Sequence, residues 1–286
     1  QHYTDFASVQ KTGLDALIIT GANVTGSDFT TEPFWPELNA VLEWARERVT
    51  STLCACLATH AALKYFHDIN RRPLGEKRWG VFPHRTSPRP HPLIRNINTR
   101  FDVPHSRYND ISQEQVDSAG VVTLVASERA GVHLAVSPDR FRFVYFQGHP
   151  EYDRNSLLKE YKREALRFVR GEREDYPPEP ENYLSPRGIE VLRAYREQVL
   201  NSDQRESLVD AFPEDEAIGA VDNTWGDTAK SIFNNWLGKV SGAQRDDYVK
   251  LLEIVGTSKI KGLLDYVKKY GAGGLPVIAM AALSPH

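Results

Sequence analysis

Residues 50–66 read TSTLCACLATHAALKYF and contain both cysteines of the 286-residue chain, Cys54 and Cys56. The segment begins as a β-branched strand at 50–54 and continues directly into a helical pattern over 57–66. A side chain at such a corner lies at the carboxyl edge of a sheet, beside the free N–H groups of the helix, which favour a thiolate and can hold an oxyanion. Cys56 falls at this corner and is a candidate nucleophile; the alternative is that both thiols are buried as small apolar side chains.

The order of strands and helices around this segment predicts an α/β fold. Residues 16–21 form a continuous apolar run closed by a glycine, which is typical of a strand buried on both faces of a parallel sheet. Residues 34–49 repeat apolar positions at intervals of three and four, which predicts an amphipathic helix. Strand, helix, strand and helix in succession indicate a mostly parallel sheet flanked by helices. Further strands are predicted at 121–127, 131–137 and 141–149, and a helix from 156 to about 170.

The remaining segments suggest a division into three parts. Residues 67–110 are rich in Pro, Arg, His and Asn and are predicted to form long loops, including a lid over the site. Residues 174–188, EDYPPEPENYLSPRG, have the composition of a linker. Helical patterns follow at 187–201, 224–240 and 245–271. We therefore predict an α/β core at 1–175, a proline-rich linker with helices packing on the core at 176–240, and a helical tail of unknown role at 241–286.

The bulk composition argues against several classes of function, including nucleic-acid binding and membrane spanning. A net charge of -3 gives no reason to expect nucleic acid or an anionic membrane as partner. No apolar run reaches the roughly 18 residues that a membrane span needs. Two cysteines one residue apart cannot cross-link distant parts of a fold, so we predict a reducing, cytoplasmic location. His84, His91 and His105 are predicted to lie in loops, and because their spacing is not that of a metal site, no metal is expected.

The segment FQGHPEYD at 146–153 supplies a candidate base for the nucleophile. His149 follows an aromatic strand, and Glu151 comes two residues later. A thiolate needs a base that takes and returns its proton, and the base needs an acceptor that fixes its tautomer. The three side chains can meet if Cys56 lies on a neighbouring strand.

Several blocks of sequence, in this order and spacing, resemble the homoserine O-succinyltransferase and homoserine O-acetyltransferase family. The blocks cover about 5–175 and 222–240 and read LIITGANV, VTSTLCACLATHAAL, GVFPH, PHSRY, GHPEYD and NTWGDTAKSIFNNWL. The resemblance implies a glutamine amidotransferase-like fold and an acyltransferase of methionine biosynthesis. It also implies L-homoserine and succinyl-CoA or acetyl-CoA as substrates, no permanently bound cofactor, and a homodimer.

The resemblance assigns catalytic roles to individual residues. Cys56 would carry the acyl group as a thioester in a ping-pong reaction, and His149 would be the general base and acid. Glu151 would orient the His149 ring, and the backbone N–H of Leu57 would donate to the oxyanion. His60, beside the corner, is expected to pack within the helix rather than to catalyse.

Other positions match the family's substrate contacts. Arg163 corresponds to the arginine that binds the amino-acid carboxylate, and Glu160, one helical turn earlier, is expected to meet the substrate ammonium or to brace this arginine. Lys77 and Ser106 correspond to further substrate contacts. The alternatives are a solvated lysine, a serine that closes a turn, and an ordinary pair of charges on a helix surface. Thr25 aligns with the position that selects the acyl chain, where glycine accompanies succinyl and glutamate accompanies acetyl; its small side chain favours succinyl.

The sequence departs from the family at both ends. The family's N-terminal part, which supplies sheet strands and a lysine near the oxyanion, is not matched, so a separate chain supplying it is one expectation. Residues 241–286 match no part of the family. Two other functions stay open, a glutamine amidotransferase-like hydrolase and a non-catalytic relative used for binding or assembly.

Overall fold

The computed structural model describes residues 4–21, 24–243, 251–254 and 278–282. The helices are α1 (Phe6–Thr12), α2 (Trp35–Arg48), α3 (Leu57–His67), α4 (Gln113–Ser118), α5 (Ser156–Val169), α6 (Pro186–Asn201), α7 (Glu214–Gly219) and α8 (Gly226–Ala243). The strands are β1 (Ala16–Thr20), β2 (Ser51–Ala55), β3 (Arg72–Thr86), β4 (Arg100–Asp110), β5 (Val122–Ser127), β6 (Gly131–Val136), β7 (Phe143–Phe146), β8 (Leu251–Ile254) and β9 (Ile278–Ala282). Short 3-10 helices span Pro92–Ile94 and Arg205–Ala211.

The described strands form one sheet in the order β4-β3-β5-β6-β7-β2-β1-β9-β8. The five strands from β7 to β8 run parallel, and β6, β5, β3 and β4 extend the sheet through antiparallel pairs. The predicted α/β fold with a mostly parallel sheet and flanking helices is confirmed. Cys54 lies level with Ile19 of β1, and Ala55 lies level with Phe146 of β7. The residues that follow β1, β2 and β7 therefore emerge at the same edge of the sheet.

Apolar side chains on both faces of the sheet hold the helices in place. Leu17 and Ile19 of β1 point into a cluster shared with α2 and α3, where Leu42 is fully buried. Their neighbour Ile18 points into the opposite cluster, where Trp236 of α8 packs. This two-sided burial is the reason why β1 reads as an unbroken apolar run. A third cluster joins α5 and α6 to β3, and it includes Tyr161, Leu192 and Trp79.

The prediction of long loops over 67–110 is wrong, because most of this segment is the antiparallel pair β3 and β4. Prolines caused the error, since proline lacks the N–H that a central strand must donate. Pro104 is tolerated because β4 is the outermost strand at its end of the sheet, and Pro83 because β5 pairs with β3 only at Arg85 and Thr86. His84 and His105, predicted to lie in loops, are therefore strand residues with buried side chains. Residues 72–86 and 100–110 belong to the sheet, so only the connection at 87–99 is left for the lid, which stays a prediction.

The proline-rich segment covers the part of β3 that has no second strand beside it. Val81 donates to the carbonyl of Glu181 at 2.8 Å, and Glu181 donates to the carbonyl of Trp79 at 2.9 Å. Gly80 between them has φ 147°, and any Cβ there would overlap the Glu181 backbone. The segment thus closes a sheet edge that would otherwise expose unpaired backbone groups.

The helix predicted over 245–271 is wrong at Leu251–Ile254, which form β8, and the other residues of that range lie outside the described part of the chain. The apolar run near the C-terminus contains β9, which pairs with β1 and β8. A short run of small and branched apolar residues does not distinguish a strand from a helix by period alone. The division of the chain at 175 and 240 stays a prediction.

Candidate active site

The candidate nucleophile lies at a strained corner between β2 and α3. Cys56 has φ 52° and ψ -115°, a conformation that non-glycine residues rarely adopt. Its N–H donates to the carbonyl of Phe146 on β7 at 2.8 Å. Thr59, in the first turn of α3, donates its hydroxyl to the carbonyls of Cys54 at 2.8 Å and Phe146 at 2.9 Å. These bonds hold the corner in place, so Cys56 projects its thiol at the edge of the sheet as the sequence predicts.

Gly21, directly after β1, leaves open the space beside this corner. A Cβ at Gly21 would lie 2.8 Å from the Leu57 nitrogen and 3.2 Å from the Cys56 Cβ. The Leu57 N–H is at the N-terminal end of α3, where it donates a hydrogen bond to the Cys56 sulfur that helps to lower the pKa of the thiol. An N–H in this position is suited to an oxyanion that develops on a carbonyl bound to that sulfur.

Cys56 and His149 form a coupled acid–base pair. Burial alone raises the pKa of the Cys56 thiol, but the charge of His149 and a hydrogen bond with it bring the pKa below its usual value. Burial likewise favours neutral His149, but the charges of Cys56 and Glu151 raise the pKa of this imidazole to about 10. Both shifts favour the thiolate–imidazolium form of the pair over the neutral one. Cys54, two residues away, is fully buried and its pKa is raised, so it behaves as a core residue.

The His149 ring is oriented by Glu151 and Tyr152. Its Nδ1 lies 2.8 Å from Oε1 of Glu151, which leaves Nε2 as the ring nitrogen for Cys56. Tyr152 stacks on the ring with centroids 4.3 Å apart. The structure thus brings Cys56, His149 and Glu151 together in the arrangement that the sequence predicts.

Strand β4 supports His149 from behind. The His149 N–H donates to the carbonyl of Pro104 at 2.8 Å. Gly148 packs against the ring of His105, where a Cβ would come within 2.8 Å of two ring atoms. This support was missed at the sequence level because the strand character of β4 was missed.

His105 belongs to a buried chain of hydrogen bonds whose tautomers are fixed by geometry. Arg107 donates through Nε to His105 Nδ1 at 3.3 Å, so the His105 proton is on Nε2. That nitrogen lies 3.2 Å from His84 Nε2, and His84 Nδ1 therefore donates to the carbonyl of Phe82 at 2.8 Å. Burial lowers the pKa of His84 to about 4 and that of His105 well below its usual value. Both rings are neutral, so they add no positive charge behind the imidazolium of His149.

A second group of polar side chains surrounds Glu160 on α5. Its Oε2 accepts from the Ser106 hydroxyl at 2.6 Å and lies 3.4 Å from Nζ of Lys77, and its Oε1 accepts from the Tyr152 hydroxyl at 2.5 Å. Burial favours the neutral acid, but Lys77 and the two hydroxyls lower the pKa of Glu160 below its usual value. Because Tyr152 also stacks on His149, this group adjoins the catalytic pair.

Lys77 and Arg163 lie in different environments. The Lys77 side chain is only 16% exposed and its Nζ lies 3.9 Å above the Trp79 ring, so the alternative of a solvated lysine is wrong. Burial lowers its pKa, an effect that Glu160 opposes. The Arg163 side chain is 58% exposed and contacts Glu164 through Nε at 3.3 Å. Glu160 pairs with Lys77 and does not brace Arg163 among the described ion pairs.

Thr25 lies in the loop that follows β1, and two other residues hold this loop. Asn109 donates to the Thr25 carbonyl at 2.8 Å. Arg71 donates to the carbonyls of Val24 at 3.0 Å and Ser27 at 3.2 Å, and also to that of Gly26. Arg71 was missed because NRRPLG reads as a solvated charged turn, and only the folded chain shows that its side chain is buried.

The remaining histidine near the corner has a structural role. His60 is buried and its Nε2 lies 2.9 Å from Oε1 of Gln147. Burial lowers the pKa of His60 to about 3, so it stays neutral, consistent with the packing role predicted for it. Within the described residues, no group of three or more His, Cys, Asp or Glu side chains is arranged to hold a metal ion. No helix in the same part of the chain is both long and apolar enough to cross a membrane.

The chain is similar to proteins of one family over most of its length. A family model described as homoserine O-succinyltransferase matches residues 1–246. A homoserine O-succinyltransferase from Thioalkalivibrio nitratireducens is 57% identical over 240 residues, which is 84% of this chain and 67% of the relative. The homoserine O-succinyltransferase of Nitrosococcus oceani is 55% identical with the same coverage of each chain.

Among solved structures, a glutamine amido transferase from Methylobacillus flagellatus aligns with a TM-score of 0.47 at 15% identity, covering 82% of this chain and 98% of that chain. The membership predicted from the motifs is confirmed: the chain belongs to the homoserine O-succinyltransferase family of acyltransferase enzymes.

Proposed function

We propose that this chain transfers a succinyl group from succinyl-CoA to the hydroxyl of L-homoserine through a thioester on Cys56. The observation that carries the proposal is the arrangement of Cys56 at the corner after β2 with His149 and Glu151 after β7, and the lowered pKa of the thiol and the raised pKa of the imidazole agree with it. Such a pair supplies both the nucleophile and the acid that a two-step acyl transfer requires. The names of the relatives support succinyl rather than acetyl as the acyl group.

In the first step the Cys56 thiolate attacks the thioester carbon of succinyl-CoA. The Leu57 N–H stabilises the oxyanion of the tetrahedral intermediate. The carbon–sulfur bond to CoA breaks, and the leaving thiolate takes the proton from His149. The succinyl group is then bound to Cys56, CoA leaves as the free thiol, and His149 is neutral.

In the second step neutral His149 takes the proton of the homoserine hydroxyl, and the oxygen attacks the Cys56 thioester. The bond between the carbonyl carbon and the Cys56 sulfur breaks, which yields O-succinylhomoserine and restores the thiolate–imidazolium pair. Glu151 keeps the His149 ring in one orientation through both steps. A single ring thus acts as acid and then as base, which explains why its position is fixed from several sides.

Binding of homoserine next to His149 requires a negatively charged side chain for its ammonium group and a positively charged one for its carboxylate. Glu160 is the buried carboxylate for its ammonium, and Lys77 and Arg163 are the cations for its carboxylate. Tyr152 joins this group to the catalytic ring because it contacts both His149 and Glu160. A hydrogen bond of a charged group contributes about 1.5–3 kcal/mol, enough to orient the hydroxyl toward His149.

The test is the mass of the intact protein after incubation with succinyl-CoA and no acceptor. We expect an adduct of one succinyl group on the wild-type protein and no thioester adduct on Cys56→Ser. Added homoserine should discharge the adduct faster than serine or water. Glutamine consumption without release of CoA would instead favour a glutamine amidotransferase-like hydrolase, and no adduct with either succinyl-CoA or acetyl-CoA would favour a non-catalytic relative. A homodimer, a separate chain supplying the family's N-terminal part, and a cytoplasmic location stay predictions.

A further inference from the structure

Arg71 is a buried cation with an unusual set of partners. Its residue exposure is 6%, and its Nε and Nη2 donate only to backbone carbonyls of the loop after β1. Among the described residues it forms no ion pair, and Asp28 and Glu32 act on it only from a distance. Its Nη1 makes no hydrogen bond to a described residue.

Arg71 holds the loop that contains Thr25, the position that the family resemblance links to selection of the acyl chain. The loop that it holds begins at Gly21, which is in contact with the Leu57–Cys56 corner, and it includes Thr25. The negative charge of the Cys56 thiolate acts on the guanidinium and raises its pKa, against the burial that lowers this pKa to about 10.

A buried cation whose partners are all neutral is costly, because carbonyl groups satisfy its hydrogen bonds but do not neutralise its charge. Arg107, which also interacts with Cys56 by charge, shows the usual solution. It pairs with Asp110 at 2.6 Å, and its remaining nitrogens donate to His105 and to the carbonyl of Ala130. Arg71 therefore lacks an anion that Arg107 already has.

We propose that the Arg71 guanidinium binds the terminal carboxylate of the succinyl group and so selects succinyl over uncharged acyl chains. This inference rests on the proposed function. The succinyl carboxylate is separated from the reacting carbonyl by two methylene groups, so it must lie within a few ångströms of the sulfur that carries it. Because Nε and Nη2 are held by the loop carbonyls, Nη1 is the nitrogen left to donate to a carboxylate oxygen, and the guanidinium supplies the opposite charge. Arg71 is thus a specificity-determining residue, and it also positions the loop that carries Thr25.

The test compares succinyl-CoA with butyryl-CoA, which has the same four-carbon chain without the charge. The rate of Cys56 acylation is measured for the wild-type protein, Arg71→Gln and Arg71→Lys. We expect Arg71→Gln to lower kcat/KM for succinyl-CoA about 10- to 100-fold more than for butyryl-CoA, the loss typical of one charge-assisted contact. Arg71→Lys keeps the positive charge but loses the planar guanidinium. Its preference for succinyl-CoA should therefore lie between that of the wild-type protein and that of Arg71→Gln.

Arg142 offers a matched control, because it also donates to two backbone carbonyls, those of Arg46 and Val49, but at the opposite end of β2. Arg142→Gln should leave the preference for succinyl unchanged. An equal loss with both acyl-CoAs in Arg71→Gln would show that the arginine only holds the loop, and a wild-type protein without preference for succinyl would overturn the inference even if no variant folds. Failure of the proposed function is a different result, in which the wild-type protein is acylated on Cys56 by neither acyl-CoA.

Discussion

Gly21→Ala tests whether the space beside the nucleophile corner is part of the catalytic machinery. The new Cβ would lie 2.8 Å from the Leu57 nitrogen, about 0.6 Å inside an ordinary contact of 3.4 Å. The corner has little freedom to move, because Cys56 and Thr59 are both hydrogen-bonded to Phe146 of the neighbouring strand. The methyl group therefore either occupies the oxyanion position or displaces the Leu57 N–H. Loss of one oxyanion donor lowers rates by about 10²–10³, and overpacking of this kind costs about 1–3 kcal/mol of stability.

The assay is the single-turnover rate of Cys56 acylation, measured with the melting temperature of the same sample. Gly238→Ala is the control, because a Cβ at this position on α8 meets nothing within 4 Å. It should leave the acylation rate unchanged and stabilise the protein by about 1 kcal/mol through helix propensity. A folded Gly21→Ala protein that is acylated within about threefold of the wild-type rate would refute the assignment of Leu57 as the oxyanion donor.

Three further changes probe the site. Glu151→Gln removes one of the charges that raise the pKa of His149, so the alkaline limb of the acylation rate, set by an imidazolium with pKa about 10, should move to lower pH in a pH–rate profile. Tyr152→Phe removes the hydroxyl that donates to Glu160 but keeps the ring on His149, so KM for homoserine should rise about 5- to 10-fold while the rate of acylation by succinyl-CoA stays unchanged. Gly148→Ala places a methyl group against a buried histidine ring behind the site, and steady-state kinetics should show kcat falling more than KM changes.

Each of these changes has an outcome that contradicts the account. An alkaline limb that does not move in Glu151→Gln would mean that this carboxylate does not act on His149. Loss of acylation in Tyr152→Phe, with Tyr183→Phe unaffected as a control for a buried tyrosine hydroxyl, would place the Tyr152 hydroxyl in the first step rather than in homoserine binding. An unchanged kcat in a folded Gly148→Ala protein would show that the backbone before His149 tolerates displacement.

The parts of the fold that could be predicted are those in which local pattern and burial agree. Strands β1 and β2 are both buried, and β1 appears in the sequence as a continuous apolar run and β2 as a short β-branched segment. The cysteine after β2 is placed by the helix that must follow. The pair β3 and β4 could not be predicted from local pattern, because prolines and charged residues are tolerated where a strand lacks one of its neighbours. Pro83 and Pro104 signal loops by composition, and only the topology shows that their missing N–H groups are not needed there.

The residues of the candidate site also divide into those that the sequence could place and those that it could not. Cys56, His149 and Glu151 follow strand ends, so chain order and the edge of a parallel sheet suffice to place them together. Arg71 and His105 act through burial and through contacts with residues distant in the sequence, and a single charged or aromatic residue in a polar segment gives no local signal of either. Lys77 illustrates the same limit, since its neighbours in the sequence are charged while its neighbours in space are Trp79 and Glu160.

The central claim is that Cys56 is ionised by its partner imidazole before any substrate binds. The most direct measurement is the pH dependence of Cys56 alkylation by iodoacetamide, read by mass spectrometry, with buried Cys54 as an internal reference. We predict a midpoint below the ordinary thiol pKa of 9.0 in the wild-type protein and a rise of that midpoint in His149→Asn. A wild-type midpoint at or above 9.0, or one that does not respond to the loss of the ring, would contradict it.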